Sequence, residues 1–128
     1  MMYGFSTKTN VGFEESIERT KAALAEEGFG VLTTIDVQAT MKAKLDIDGK
    51  PYTILGACNP KLAHQAISAE PDIGLLLPCN VLVREEEDGS VTVAFMDPVA
   101  VLGMVDKPGI EELAGQVRAK LMNVRDSL

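Results

Sequence analysis

The junction at Cys58-Asn59, where a strand pattern gives way to a helix pattern, constrains the fold of this chain more than any other feature. Asn59 is a preferred helix N-cap, and Pro60 fits the first helical position because its φ is preset and it lacks an N–H. Both cysteines and the only histidine lie between residues 56 and 80, in the string G-A-C-N-P-K-L-A-H-Q-A-I-S-A-E-P-D-I-G-L-L-L-P-C-N. The Cys-Asn pairs at 58 and 79 therefore predict two related corners around one helix and a buried strand.

The remaining segments alternate between strand and helix patterns. Strands are predicted at residues 2–8, 30–36, 52–57, 73–77, 81–85 and 91–96, and helices at 13–27, 37–45, 60–70 and from 108 to the end. The first three of these elements, at residues 2–36, predict a β-α-β unit whose second strand packs beside the first. Asp88-Gly89 predicts a hairpin turn, and residues 99–106 fit a turn better than an edge strand. No linker or repeat divides the 128 residues, so we predict one domain.

The excess of acidic residues argues against some classes of binding partner. Twelve basic against nineteen acidic residues give a net charge of −7, which repels the backbone of nucleic acids and anionic lipid. The longest apolar run, residues 73–77, contains a glycine and is too short to span a bilayer, and the amino terminus lacks a signal-peptide pattern. We therefore expect a cytoplasmic protein that contacts neither nucleic acid nor membrane, with both cysteines reduced.

Three strings carry a resemblance to a known family: G-F-G-V-L-T-T-I-D-V at 28–37, L-G-A-C-N-P-K-L-A at 55–63 and P-D-I-G-L-L-L-P-C-N-V at 71–81. Together they resemble domain-of-unknown-function family 302, over nearly the whole chain. The resemblance implies an α+β fold with an antiparallel sheet. Together with the strand and helix patterns above, the resemblance leads us to predict a mainly antiparallel sheet of about five strands in the order β-α-β-α-β-α-β-β-α. It also implies helices packed chiefly on one face, and it brings no established activity or catalytic residue.

Cys58 is the residue with the strongest chemical argument. It directly precedes a predicted helix N-terminus, where the positive end of the helix dipole and nearby Lys61 would lower the pKa of an exposed thiol. The plain alternative is that Cys58 and Cys79 are small apolar residues that pack into the core. If the strands that carry them are neighbours, Cys79 would be a resolving partner for Cys58, with His64 as a base.

Other ligand chemistries are also open at this corner. Cys58, Cys79 and His64 could supply three metal ligands, although the usual paired spacings are missing. Asn59, Lys61 and the free N–H groups of the helix could hold a small anion. Gly28-Phe29-Gly30 follows a helix instead of a strand, so it indicates a helix C-cap, and no cofactor is predicted.

We predict a non-catalytic module that binds a small ligand at Cys58, Asn59 and Lys61 or assembles as a homodimer through a sheet edge or helix face. One alternative is a thiol-based redox protein or enzyme that uses Cys58, His64 and Cys79. The other is a metal-binding protein that uses the same three residues.

Overall fold

The computed structural model describes residues 1–128 and contains five strands, five α-helices and one 3₁₀ helix. The strands are β1 (Gly4–Thr9), β2 (Gly30–Asp36), β3 (Tyr52–Cys58), β4 (Cys79–Glu85) and β5 (Val91–Met96). The helices are α1 (Phe13–Glu26), α2 (Val37–Leu45), α3 (Pro60–Ala69), the 3₁₀ helix (Pro71–Leu76), α4 (Pro98–Leu102) and α5 (Ile110–Ser127). None of these helices combines the length and the apolar character that crossing a membrane requires.

The five strands form one antiparallel sheet in the order β1-β5-β4-β3-β2. The predicted α+β class and antiparallel sheet are therefore confirmed. The prediction that the second strand packs beside the first is wrong, because β1 and β2 lie at opposite edges. Helix α1 connects them by crossing the sheet over β4 and β5. The strand pattern indicates which residues are buried, but it does not indicate which strands are neighbours.

The core lies between one face of the sheet and the helices. Leu55, Val81, Val83, Val93 and Phe95 point to this face from the three central strands, and each is at most 2% exposed. They oppose one another directly, as in the pairs Leu55–Val81 and Val83–Val93, and they pack against buried residues of α1 and α5. This alternation of inward apolar residues produces the period of two in the sequence.

The apolar run at 73–77 is the segment whose secondary structure was predicted wrongly. It forms most of the 3₁₀ helix Pro71–Leu76 instead of a strand, and β4 begins only at Cys79. Ile73 is buried in the helix layer, where the 3₁₀ helix packs against α3 and α4. A short apolar run looks the same in a buried strand and in a buried helical turn, so periodicity could not separate them.

Helix α2 differs from the other α-helices because none of its residues is buried. Asp36 caps it as predicted, with the Ala39 N–H donating to Asp36 Oδ1 over 2.9 Å. The stripe of Val37, Met41 and Leu45 nevertheless points away from the core, and Leu45 is 61% exposed. Residues 30–50, which comprise β2, α2 and the loop after it, are called the edge segment below.

Candidate functional site

The first cysteine corner joins β3 to α3 and is fixed by Asn59. The Leu62 N–H donates to Asn59 Oδ1 over 3.3 Å, which confirms the predicted N-cap, and Pro60 is the first helical residue. Asn59 Nδ2 also donates to the Glu27 carbonyl oxygen over 3.4 Å, at the end of α1. Gly28 has a φ of 84° there, and a Cβ added to it would lie 3.1 Å from Asn59 Nδ2. One side chain therefore links the end of α1 to the start of α3.

The second cysteine corner lies beside the first because β3 and β4 are paired. Cys79 stands directly opposite Ala57, and Asn80 stands opposite Gly56. Gly56 allows the close packing at this point. A Cβ on it would collide with Thr33 Oγ1 from β2 and would approach Pro78 Cγ to 3.0 Å. The two Cys-Asn pairs, which are 21 positions apart in the chain, are thus neighbours in the sheet.

A cavity of about 330 Å³ opens between these corners and the helices. Thirteen of its 17 lining residues are hydrophobic, and none is charged. The lining residues are Phe29, Leu32, Thr33, Ala57, Cys58, Asn59, Leu62, Ala63, Ala66, Ile67, Gly74, Leu77, Pro78, Cys79, Leu102, Leu113 and Val117. Because Leu32 and Ile67 are both lining residues and exposed to solvent, the cavity has an apolar rim.

Both cysteines line this cavity as free thiols, Cys58 half-buried and Cys79 buried. Burial raises the pKa of the Cys58 thiol. Burial, and to a lesser degree the charge interaction with Cys58, raises the pKa of Cys79 to about 11. The lowered pKa expected for an exposed Cys58 is not found, because the cavity takes the thiol partly out of water. Both groups are therefore neutral thiols at pH 7.

His64 and Lys61 lie outside the cavity. Both are exposed on α3, and neither is among the lining residues. The structure holds no group of three or more His, Cys, Asp or Glu side chains placed to bind a metal ion. The three residues of the metal-binding alternative, Cys58, Cys79 and His64, are therefore not grouped together, since the two thiols line the cavity and the histidine does not. Asn59 and Lys61 are likewise not brought together at the cavity.

Several lining residues were absent from the predicted site. Leu113 and Val117 come from α5, and Leu102 comes from α4. Their apolar spacing in the sequence indicates only a buried helix face, which is the same signal that ordinary core residues give. The sequence indicates that Thr33 belongs to a strand, but it does not indicate that Thr33 lines a cavity. A local pattern could not have identified these residues as cavity walls, because they are distant in sequence from both corners.

Comparison with known proteins gives a consistent family assignment. The model of the family described as domain of unknown function DUF302 matches residues 5–128. The crystal structure of an uncharacterised conserved DUF302 protein from Bacillus stearothermophilus has a TM-score of 0.90 and 30% identity, covering 98% of each chain. An uncharacterised protein of Aquifex aeolicus (strain VF5) is 34% identical over 53 residues. That match spans 41% of this chain and 37% of the Aquifex protein.

Proposed function

Because the chain belongs to the DUF302 family, a family of unknown function, we propose from its own geometry that it binds a small, uncharged, mostly apolar molecule without transforming it. The observation that carries the proposal is the cavity at the two cysteine corners. Its volume of about 330 Å³ lies at the lower end of the range of about 300–1,000 Å³ found for small-molecule sites. The ligand is therefore compact, smaller than a nucleotide cofactor.

The composition of the wall sets the charge of this ligand. No Asp, Glu, Lys, Arg or His lines the cavity, so an ionised group would lose its hydration without gaining a partner. A neutral ligand pays no such cost and gains from contact with residues such as Phe29, Leu62 and Val117. An apolar ligand on the inner side of this corner therefore takes the place of the small anion expected at Asn59 and Lys61.

Four side chains in this apolar wall carry an atom that can form a hydrogen bond, and these orient the ligand: Thr33, Asn59 and the two cysteines. The oxygen of Asn59 already accepts the capping bond from Leu62. The Thr33 hydroxyl and the two neutral thiols are the groups best placed to meet a single polar atom of a ligand. A molecule with one hydroxyl, ring N–H or carbonyl on an apolar body fits this pattern.

The thiol-enzyme alternative keeps one supporting observation, which is that Cys58 and Cys79 line the same cavity. Against it, a nucleophilic cysteine reacts as the thiolate, and burial raises the pKa of both thiols. We expect Cys58 to react with iodoacetamide at pH 7 more slowly than a free cysteine, with the midpoint of its pH profile above that of a free cysteine, because burial raises its pKa. A midpoint below 7, together with turnover abolished in Cys58→Ser, would favour the enzyme.

Indole and indole-3-acetate form a matched pair of probes for the ligand-binding proposal. They share an apolar bicyclic body and differ by a carboxylate at neutral pH. We expect indole to shift amide resonances of β3, α3 and α5 that border the cavity, and indole-3-acetate to bind at least about tenfold more weakly because its charge stays unpaired. Equal or tighter binding of the carboxylate would contradict a neutral ligand.

Two leucine substitutions on α3 locate the binding site. Ala63→Leu places a larger side chain into the cavity, whereas Ala69→Leu lies on the same helix, is exposed and does not line it. Indole affinity should fall at least about tenfold in Ala63→Leu and stay unchanged in Ala69→Leu, because only the first change removes volume from the site. Equal affinities in both variants, with both folded by circular dichroism, would place binding elsewhere.

A further inference from the structure

The edge segment exposes an open strand edge with apolar side chains. Strand β2 pairs with β3 on one side only, and its sequence G-V-L-T-T-I-D contains no charge before Asp36. Leu32 is 67% exposed and Ile35 is 48% exposed. Natural proteins protect such edges with Lys, Pro or a covering element, because an open apolar edge pairs readily with another strand. Beyond a bulge between Val31 and Thr33, β2 carries none of these protections.

The opposite edge of the sheet is protected. Strand β1 carries Lys8, whose ammonium group donates to Ser90 Oγ over 3.1 Å and lies 3.8 Å from Glu86 Oε2. Helix α5 also packs against β1. The two edges therefore differ, and only β2 offers an uncharged row of backbone groups to a partner.

Helix α2 supplies a second, independent observation. It has nine residues and no buried residue, whereas isolated helices shorter than about 12–15 residues are marginal in water and are usually held by packing of an apolar face. The stripe of Val37, Met41 and Leu45 lies at intervals of four, and Ile47 follows it with its side chain exposed. Val37 is half-buried beside β3, whereas Met41 and Leu45 are exposed, so the second half of this apolar face is left uncovered in the single chain.

The charge of the edge segment favours a second copy of the chain as the partner. Residues 30–50 contain three Lys and three Asp, so the net charge of −7 lies wholly outside the segment. Lys42 Nζ lies 2.8 Å from Asp46 Oδ1 and 3.1 Å from Asp48 Oδ1, which neutralises these charges within one chain. Two acidic molecules can therefore meet at this segment without facing like charges.

We propose that two copies of this chain associate through the edge segment about a two-fold axis. Strand β2 pairs antiparallel with β2 of the partner subunit, because a two-fold axis perpendicular to a strand reverses its direction. The pairing is centred near Thr34, on the side of the bulge where the strand is regular. The exposed stripe of α2 is buried against the other copy, and the result is a continuous sheet of ten strands.

Sedimentation of matched lysine variants tests the proposal. The wild-type chain should sediment as a dimer of twice 13.7 kDa at micromolar concentration. The double variant Met41→Lys, Leu45→Lys should raise the dissociation constant at least about tenfold, since two-fold symmetry places each added charge in the interface twice. Met104→Lys is the control, because Met104 is exposed outside the edge segment. Leu32 is left unchanged because it also lines the cavity.

Amide hydrogen exchange separates this interface from other modes of dimerisation. Exchange at residues 33–36 should slow as protein concentration rises, while exchange in β1 should not respond to concentration. A chain that stays monomeric up to about 100 μM would overturn the proposal, since specific dimers commonly form well below that concentration. A dimer that survives the double lysine variant, or that protects β1 instead of β2, would also overturn it.

Discussion

The two cysteine corners and the edge segment both present apolar side chains outside the packed core, yet their shapes differ. At the corners the apolar surface is concave and its backbone is fixed by hydrogen bonds, as in the links from Asn59 to Leu62 and Glu27. In the edge segment no residue of α2 is buried, and one strand edge is open. A concave apolar surface can enclose a small molecule and shield it from water, whereas an open strand edge can pair with a strand of another chain.

Apolar residues are thus left uncovered for different reasons in the two regions. Leu62 and Leu45 are both leucines on the apolar stripe of a helix, and the sequence gives no reason to treat them differently. Leu62 is 7% exposed and Leu45 is 61% exposed. The difference arises because α3 follows a strand in the middle of the sheet, whereas α2 follows a strand at its edge. Four predictions, ordered by expected effect, test how far the two regions differ.

The largest expected difference comes from truncating these two leucines. Leu62→Ala should lower the free energy of unfolding by about 3 kcal/mol, because it removes buried contacts and enlarges the cavity. Leu45→Ala should change it by less than about 0.5 kcal/mol in the monomer. Urea denaturation, at a concentration where sedimentation shows one chain, measures both. Equal losses in the two variants would mean that α2 is packed in the monomer after all.

The second prediction concerns the close packing at Gly56. Gly56→Ala should destabilise the protein by about 2 kcal/mol, because the new methyl group collides with Thr33 Oγ1 and forces the strands apart. Gly30→Ala is the control, since an added Cβ there has no neighbour within 4 Å. The double variant Gly56→Ala, Thr33→Ala should recover part of the loss. A Gly56→Ala protein as stable as Gly30→Ala in urea would refute the tight contact.

The third prediction uses the raised pKa of Cys79. The folded protein keeps this proton up to a pKa of about 11, compared with an ordinary value of 9.0. The unfolded chain therefore loses the proton first as the pH rises, so the stabilisation is complete below pH 9 and is lost between pH 9 and 11. The loss over that window should be about 2 kcal/mol.

Cys79→Ala is the reference for this measurement, because it has no thiol to titrate and keeps the remaining ionisable groups. The difference in unfolding free energy between wild type and Cys79→Ala should be constant from pH 6 to 8 and should shrink above pH 9. A difference that stays constant to pH 11 would show that the thiol is not held neutral by the fold.

The smallest expected effect distinguishes two helix caps of similar geometry. Asn59→Ala removes the cap of α3 and the bond to Glu27, and it should cost about 1 kcal/mol. Asp36→Ala removes the cap of α2, which the Ala39 N–H reaches over 2.9 Å, but it should cost about 0.5 kcal/mol or less because fraying of α2 exposes no core. Thermal unfolding of both variants provides the test, and a larger loss in Asp36→Ala would reverse the comparison.

Features that depend on a few neighbouring residues were predictable from the sequence. Asn59 and Asp36 cap their helices, Gly28 ends α1 with a positive φ, and Asp88-Gly89 lies in the β4–β5 hairpin. Each follows from the local hydrogen bonds or backbone freedom of one residue type. The existence and chain order of the five observed strands were predicted from the period of their apolar residues, although residues 73–77 were assigned to an additional strand.

The candidate site was predictable only in part. The sequence placed Cys58 and Asn59 at a strand-to-helix corner. It also predicted that the two cysteines meet if the strands that carry them are neighbours, and the pairing of Ala57 with Cys79 meets this condition. The sequence left open whether His64 faces solvent or the cysteines, and it predicted Lys61 as part of the site, whereas both residues are exposed outside the cavity. Helical spacing predicts that residues share a face, but the neighbouring elements decide whether that face is covered.

By itself the sequence determined most of the local elements, the α+β class and the family, because these depend on periodicity, helix caps and short strings of neighbouring residues. Tertiary structure alone decided that β1 and β2 lie at opposite edges, that Leu113 and Val117 wall the cavity beside Cys58, and that burial raises its pKa. These properties arise from contacts between residues far apart in the chain, and solvent exclusion is a collective result of such contacts. The thiol at the corner is therefore part of an apolar cavity wall, a role that local sequence could not assign.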